Sequence, residues 1–136
     1  MTGNEYQNLA MRTNDGGSTG RLEDKIEMVK FFRDIKAGRP CEKYDVGGVI
    51  NSCLGLAGEV GELNDMIKKW VFHEKPLDET HLMKELGDVM WYVAMICHSM
   101  GWNLDDILQM NIDKLIARYP DGFDVLKANN RQEGDV

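Results

Sequence analysis

The sequence lacks several features that would assign the protein to a particular class. It has three cysteines and no Cys-x-x-Cys pair, which argues against a disulfide framework and a cysteine zinc site and favours a reducing, cytoplasmic compartment. No run approaches the roughly 18 to 20 apolar residues of a membrane helix. We therefore do not expect a membrane protein. Acidic residues outnumber basic ones by 23 to 16, so we do not expect a nucleic-acid binder either.

Strands are missing from the pattern as well. No segment alternates polar and apolar residues between hairpin turns, whereas apolar residues recur at helical spacing in four segments. These segments predict helices near residues 22–38, 49–72, 78–101 and 103–119, with a short helix over 5–12. Residues 14–20 are predicted to be a loop and 124–136 a loose tail. The 136 residues therefore predict a single all-α domain.

The helices over residues 49–72 and 78–101 are joined by a short connection that contains Pro76. Such a connection predicts an antiparallel hairpin, with Asp78 as the N-cap of the second helix and Gly101 at its C-terminal end. We expect this hairpin to form part of a four-helix-bundle-type core. Because the chain is short for a complete four-helix site, we expect oligomerisation to complete the bundle.

Two acidic pairs lie on the predicted hairpin. Glu59 and Glu62 are three residues apart on its first helix, and Glu85 and Asp88 are three residues apart on its second, so each pair shares a helix face. At 1.5 Å per residue, Glu62 lies roughly 15 Å before the turn and Glu85 roughly 10 Å after it. The two pairs reach similar heights, and we expect the four carboxylates to converge.

Converging carboxylates repel one another unless a cation neutralises them. Mg²⁺ suits this chemistry best, since it takes oxygen ligands and keeps sites for water and phosphate, and Mn²⁺ is an alternative. A solvated acidic helix face would show the same spacing. Apolar neighbours favour the metal site, and so do interleaved glycines, each of which costs a helix about 1 kcal/mol and suggests a close approach by a backbone or ligand. These glycines are Gly55, Gly58, Gly61 and Gly87.

The acidic pairs and their flanking residues resemble the MazG-like nucleoside triphosphate pyrophosphohydrolases, whose hallmark is Glu-x-x-Glu, a spacer and Glu-x-x-Asp. Further blocks similar to this family follow in the same order at residues 54–62, 67–69, 85–92 and 111–123. Tyr6-Gln7 and Arg12-Thr13 resemble the opening of the family. Residues 14–51 depart from it, because a loop and an extra helix are inserted there.

The resemblance implies Mg²⁺-dependent hydrolysis of a (deoxy)nucleoside triphosphate between its α and β phosphates, giving the monophosphate and pyrophosphate. Such an activity would serve nucleotide-pool control or house-cleaning. The resemblance also implies a homodimer or homotetramer. It assigns both metal binding and catalysis to the four acids, Glu59, Glu62, Glu85 and Asp88.

Five further residues resemble family positions near the nucleotide: Lys69, Tyr92, Asn111, Lys114 and Arg118. Tyr92 lies one helical turn after Asp88, although a core tyrosine would have the same position. The three residues of the last helix share a face, as a solvated basic stripe near a helix C-terminus also would.

Two other functions are compatible with parts of the pattern. A non-catalytic helical module could bind a cation for stability or dock a protein partner, and turnover with Mg²⁺ would distinguish it from an enzyme. A di-iron or di-manganese carboxylate bundle would need Glu-x-x-His pairs, and neither Glu62 nor Glu85 is followed by histidine three residues later. The hydrolase is therefore the favoured hypothesis.

Overall fold

The computed structural model describes residues 1–35 and 45–129, with the helical backbone alone for residues 30–35. This part of the chain contains helices and no strand, which confirms the all-α prediction. The helices are α1 (Gly3–Ala10), α2 (Ser18–Ile35), α3 (Val46–Phe72), α4 (Glu79–Met100), α5 (Leu104–Arg118) and α6 (Val125–Asn129), and a 3-10 helix (Met11–Thr13) follows α1. Within these ranges, no helix has both the length and the apolar character needed to span a membrane.

Side-chain and glycine caps define the ends of α4 and α5. The Asp78 side chain accepts a 2.9 Å hydrogen bond from the backbone N–H of His81 and so begins α4. Gly101, with φ of 66°, ends α4 in a left-handed conformation that suits glycine. Asn103 begins α5 by accepting from the backbone N–H of Asp105 at 3.2 Å. These caps confirm the predicted boundaries around the hairpin.

Other boundaries differ from the prediction. Helix α2 begins at Ser18, within the expected loop. Just before it, the Asp15 side chain accepts a hydrogen bond from the backbone N–H of Gly17 and forms an ion pair with Arg21. Helix α6 lies in the expected loose tail, where Asp124 caps it through the backbone N–H of Lys127. Both caps lie in short segments that show no sustained apolar periodicity. The predicted end of α2 near residue 38 and the tail from residue 130 lie outside the described residues.

Helices α3 and α4 pack against each other as the principal contact of the described chain. The backbone N–H of Asp45, just before α3, donates to the carbonyl of Ser99 near the end of α4 at 2.7 Å, so the helices run antiparallel. A Cβ atom added to Gly48 would overlap the Ser99 side chain, and one added to Gly55 would overlap the Tyr92 ring. The two contacts are seven residues apart on each helix, as in a heptad seam.

The described chain buries little apolar surface. Cys97 is its one buried hydrophobic side chain, whereas Phe72 at the end of α3 is 78% exposed and Met110 on α5 is 71% exposed. Helix α5 makes no packing contact with α3 or α4 comparable to that of the hairpin within these residues. The hairpin is thus present, whereas the four-helix-bundle core completed by oligomerisation stays a prediction.

Candidate metal centre

The register of the hairpin sets the height of the acidic pairs. One further seven-residue step along the seam leads to Glu62 on α3 and Glu85 on α4. The same register sets Glu59 opposite Asp88. The glycine contacts nearer the open end of the hairpin therefore determine which carboxylates stand at the same level.

Three of the four predicted acids form a cluster. Glu59, Glu85 and Asp88 each offer a carboxylate oxygen, and these atoms lie within 4.8 Å of one another. Glu85 is buried, Glu59 is half-buried and Asp88 is exposed, so the cluster extends from the helix interface to solvent. Glu62 is exposed and lies outside this triad, but it lines the same cavity as Glu85.

The cluster raises the pKa of Glu59 above its ordinary value. Desolvation is the largest cause, followed by the negative charges of Glu62, Asp88 and Glu85 and by a hydrogen bond with Glu85. A carboxyl group in this setting retains its proton more readily, and binding of a cation would release that proton. The oxygen-only donor set and the surplus of negative charge fit a hard divalent cation such as Mg²⁺ or Mn²⁺.

A cavity of about 530 Å³ extends from the acids to the turn between α3 and α4. Its lining combines the acidic Glu62 and Glu85 with the basic Lys69 and Lys75. The cavity is therefore bordered by carboxylates, which suit a cation, and by ammonium groups, which suit phosphate oxygens.

Lys69 is held at the cavity by Asp65, a residue that sequence reasoning missed. The Asp65 carboxylate accepts from Nζ of Lys68 and Nζ of Lys69, each at 2.5 Å. Hydrogen bonds from these two lysines lower the pKa of Asp65 to about 2. In the sequence, Asp65 precedes the two lysines by three and four residues, and this helical spacing was the signal that could have predicted the ion pairs.

His81 is the second residue that sequence reasoning missed. Its Nε2 atom lies 2.7 Å from Oε1 of Glu85, four residues later on α4. A search for histidines that bind a metal directly overlooks this residue, because His81 contacts the candidate ligand Glu85 instead. The signal was again a helical spacing of four.

Gly55 allows a close approach by the neighbouring helix, although through the Tyr92 ring rather than through the predicted backbone or ligand. A Cβ atom added to Gly58, Gly61 or Gly87 would meet no described atom within 4 Å, so the described chain supplies no close backbone there and approach by a ligand stays a prediction. Gly58 and Gly61 instead border the cavity, where the absence of a side chain leaves room for a ligand.

Four other candidate residues do not line the cavity. The Tyr92 ring packs on α3 and meets the Trp91 ring edge-on, with 4.9 Å between centroids. Asn111, Lys114 and Arg118 lie on helix α5. Of the five residues expected near the nucleotide, Lys69 borders the cavity, and the nucleotide-binding roles of all five stay predictions.

Fold and site together define an all-helical protein whose central hairpin carries a carboxylate cluster suited to a divalent cation. Residues 50–123 match the family model of the MazG nucleotide pyrophosphohydrolase domain, more than half of the chain. The chain therefore belongs to this family. It is also 34% identical over 92 residues to the "Gene 37 protein" of Mycobacterium phage L5, an alignment that covers 63% of this chain and 79% of the phage protein. No solved structure gives a significant match.

Proposed function

We propose that the protein hydrolyses (deoxy)nucleoside triphosphates between the α and β phosphates, with Mg²⁺ as cofactor. The products would be a nucleoside monophosphate and pyrophosphate, in the service of nucleotide-pool control or house-cleaning. The observation that carries the proposal is the triad of Glu59, Glu85 and Asp88, gathered within 4.8 Å inside the segment that matches the family. The neighbouring cavity, which has both acidic and basic walls, supports a phosphate-bearing substrate.

In the proposed reaction, the triad and Glu62 hold the cation. When bound, Mg²⁺ supplies charge neutralisation for the phosphate oxygens and lowers the pKa of an attacking water. A carboxylate oxygen not engaged by the cation accepts the proton that this water loses. Lys69, fixed by Asp65, contributes positive charge on the cavity wall where the leaving pyrophosphate would lie.

We further propose that the active form is a homodimer or homotetramer. One buried hydrophobic side chain within the described residues is too little to stabilise a domain of this length. Helix α5 also presents an uncovered apolar stripe, which consists of Leu108, Ile112, Leu115 and Ile116. Soluble monomers rarely expose apolar patches larger than a few hundred Å². A second copy would cover this stripe and bring Asn111, Lys114 and Arg118 of α5 to a nucleotide.

The deciding experiment incubates the purified protein with each common and modified deoxynucleoside triphosphate plus Mg²⁺ and separates the products. Monophosphate and pyrophosphate are expected. Diphosphate and phosphate would overturn the proposed cleavage position. Absence of hydrolysis with every nucleotide would favour the non-catalytic, cation-stabilised module instead.

Substitution of the acids tests the proposed site. Glu62→Gln and Asp88→Asn should each abolish turnover, because each removes a cation ligand, while circular dichroism shows unchanged helical content. Glu79→Gln is the matched control, since Glu79 is an exposed acid in the first turn of α4 and lies outside the cluster. Retained activity in either site variant would remove that residue from the centre.

The two cysteines described by the structure, Cys53 and Cys97, are free thiols. Free thiols fit the reducing cytoplasmic compartment that we propose for the protein.

A further inference from the structure

Glu85 is the most buried acidic side chain of the described residues and the centre of the carboxylate cluster. The residue is 9% exposed, and Glu59 and Asp88 both lie close to its carboxylate. Burial of a carboxylate is unfavourable unless hydrogen-bond donors compensate for the lost water. The hydrogen bond with Glu59 supplies part of that compensation. A nitrogen donor beside Glu85 adds to it.

His81 supplies this donor. Its Nε2 atom lies 2.7 Å from Oε1 of Glu85, and because an ionised carboxylate can only accept, the imidazole donates its N–H. The backbone of His81 is fixed as well, since its N–H donates to the N-cap Asp78 at 2.9 Å. The ring therefore projects from an anchored first turn of α4 rather than from a loop.

The contact restrains the Glu85 carboxylate. Oε1 is engaged by the imidazole, and a carboxylate oxygen of Glu85 lies within 4.8 Å of those of Glu59 and Asp88. A carboxylate fixed in this way cannot rotate freely between its neighbours. In metal sites generally, hydrogen-bond partners of this kind orient the ligands, and their loss typically weakens metal affinity or activity by roughly 10-fold to 100-fold.

We propose that His81 is a positioning residue that fixes the Glu85 carboxylate for cation binding. The inference rests on the proposed function only in taking Glu85 as a cation ligand. The alternative is an ordinary surface pair, because the His81 side chain is 55% exposed and such pairs at a spacing of four residues contribute little to helix stability. A surface pair of this kind would leave cation affinity unchanged.

The test measures the dissociation constant of Mn²⁺ alone, without nucleotide, by calorimetry on the full chain. His81→Ala should bind Mn²⁺ roughly 10-fold to 100-fold more weakly than the unsubstituted protein. His81→Gln, whose amide can still donate to Glu85, should recover most of the affinity. His98→Ala is the control, because His98 is an exposed histidine in the last turn of the same helix. Circular dichroism checks that the variants keep their helical content.

Two results would overturn the inference. Equal Mn²⁺ affinity in His81→Ala and the unsubstituted protein would identify an ordinary surface pair. Tighter binding in His81→Ala would show that the imidazole competes with the cation. Parallel assays of nucleotide hydrolysis separate the proposals: binding of Mn²⁺ without hydrolysis by the unsubstituted protein would overturn the proposed function alone, and the variant affinities would still decide the role of His81. Absence of Mn²⁺ binding by the unsubstituted protein would overturn the inference about His81, whereas the hydrolysis assay would still decide the proposed function.

Discussion

Gly55→Ala tests whether the contact between α3 and α4 is as close as described. The new Cβ atom would overlap the ring of Tyr92, which is held on the seam of the hairpin. Overpacking of this kind costs about 1 to 3 kcal/mol, and overlap with a stiff ring places the cost near the upper value. Alanine gains about 1 kcal/mol over glycine within a helix. We therefore expect a net loss of about 2 kcal/mol in the free energy of unfolding.

Gly58→Ala is the matched control, three residues later in the same helix, because its Cβ atom would meet open space. This variant should gain the helical contribution of about 1 kcal/mol. The two substitutions thus differ by about 3 kcal/mol, or roughly 12 °C in Tm at about 4 °C per kcal/mol for a chain of this length. Urea and thermal unfolding at one fixed protein concentration measure both values.

A double-mutant cycle isolates the contact itself. In a Tyr92→Ala background the added methyl group has space, so Gly55→Ala should become neutral or stabilising, with a coupling energy of about 2 to 3 kcal/mol. Equal stability of Gly55→Ala and Gly58→Ala, or no coupling to Tyr92, would refute the close contact and with it the register that aligns the acids.

Two further predictions concern the charge and the surface of the protein. Because the pKa of Glu59 is raised in the folded state, its stabilising contribution is present below the unfolded pKa of about 4.5 and is lost as the pH rises through the folded pKa. In urea unfolding, the stability of the metal-free protein relative to Glu59→Gln should therefore fall over this pH range, and a constant difference would contradict the shift. Ile116→Asp adds a charge to the apolar stripe of α5 and should shift the protein towards monomer in sedimentation velocity, whereas Leu9→Asp at a similarly exposed position on α1 should not. An unchanged oligomer in Ile116→Asp would place the interface elsewhere.

Much of the hairpin could be predicted from the sequence, since its signals are local. Apolar periodicity predicted both helices, and Asp78 and Gly101 predicted the ends of the second. The acidic pairs followed from spacing alone, because residues three apart on a helix share a face. Predictions of this kind need only the geometry of one helix and a short turn.

The remaining features depend on how the helices are rotated and what covers them. Spacing predicts that Glu59 and Glu62 share a face, but it does not predict that Glu59, rather than Glu62, joins Glu85 and Asp88 in the triad. The partnership of His81 with Glu85 depends on side-chain rotamers as well as on spacing. The position of α5 cannot follow from its own amphipathic pattern, because the described chain offers no packed surface for its apolar stripe.

The acid cluster is contained within a single helix hairpin, and this has a consequence for the order of folding. Contacts between residues near in sequence form early, since little loop entropy opposes them. Glu59, Glu85 and Asp88 are thus brought together as soon as α3 and α4 meet, without a second copy of the chain. Their mutual repulsion opposes this step, and a divalent cation that relieves it would lower the kinetic barrier to folding as well as serve the proposed reaction.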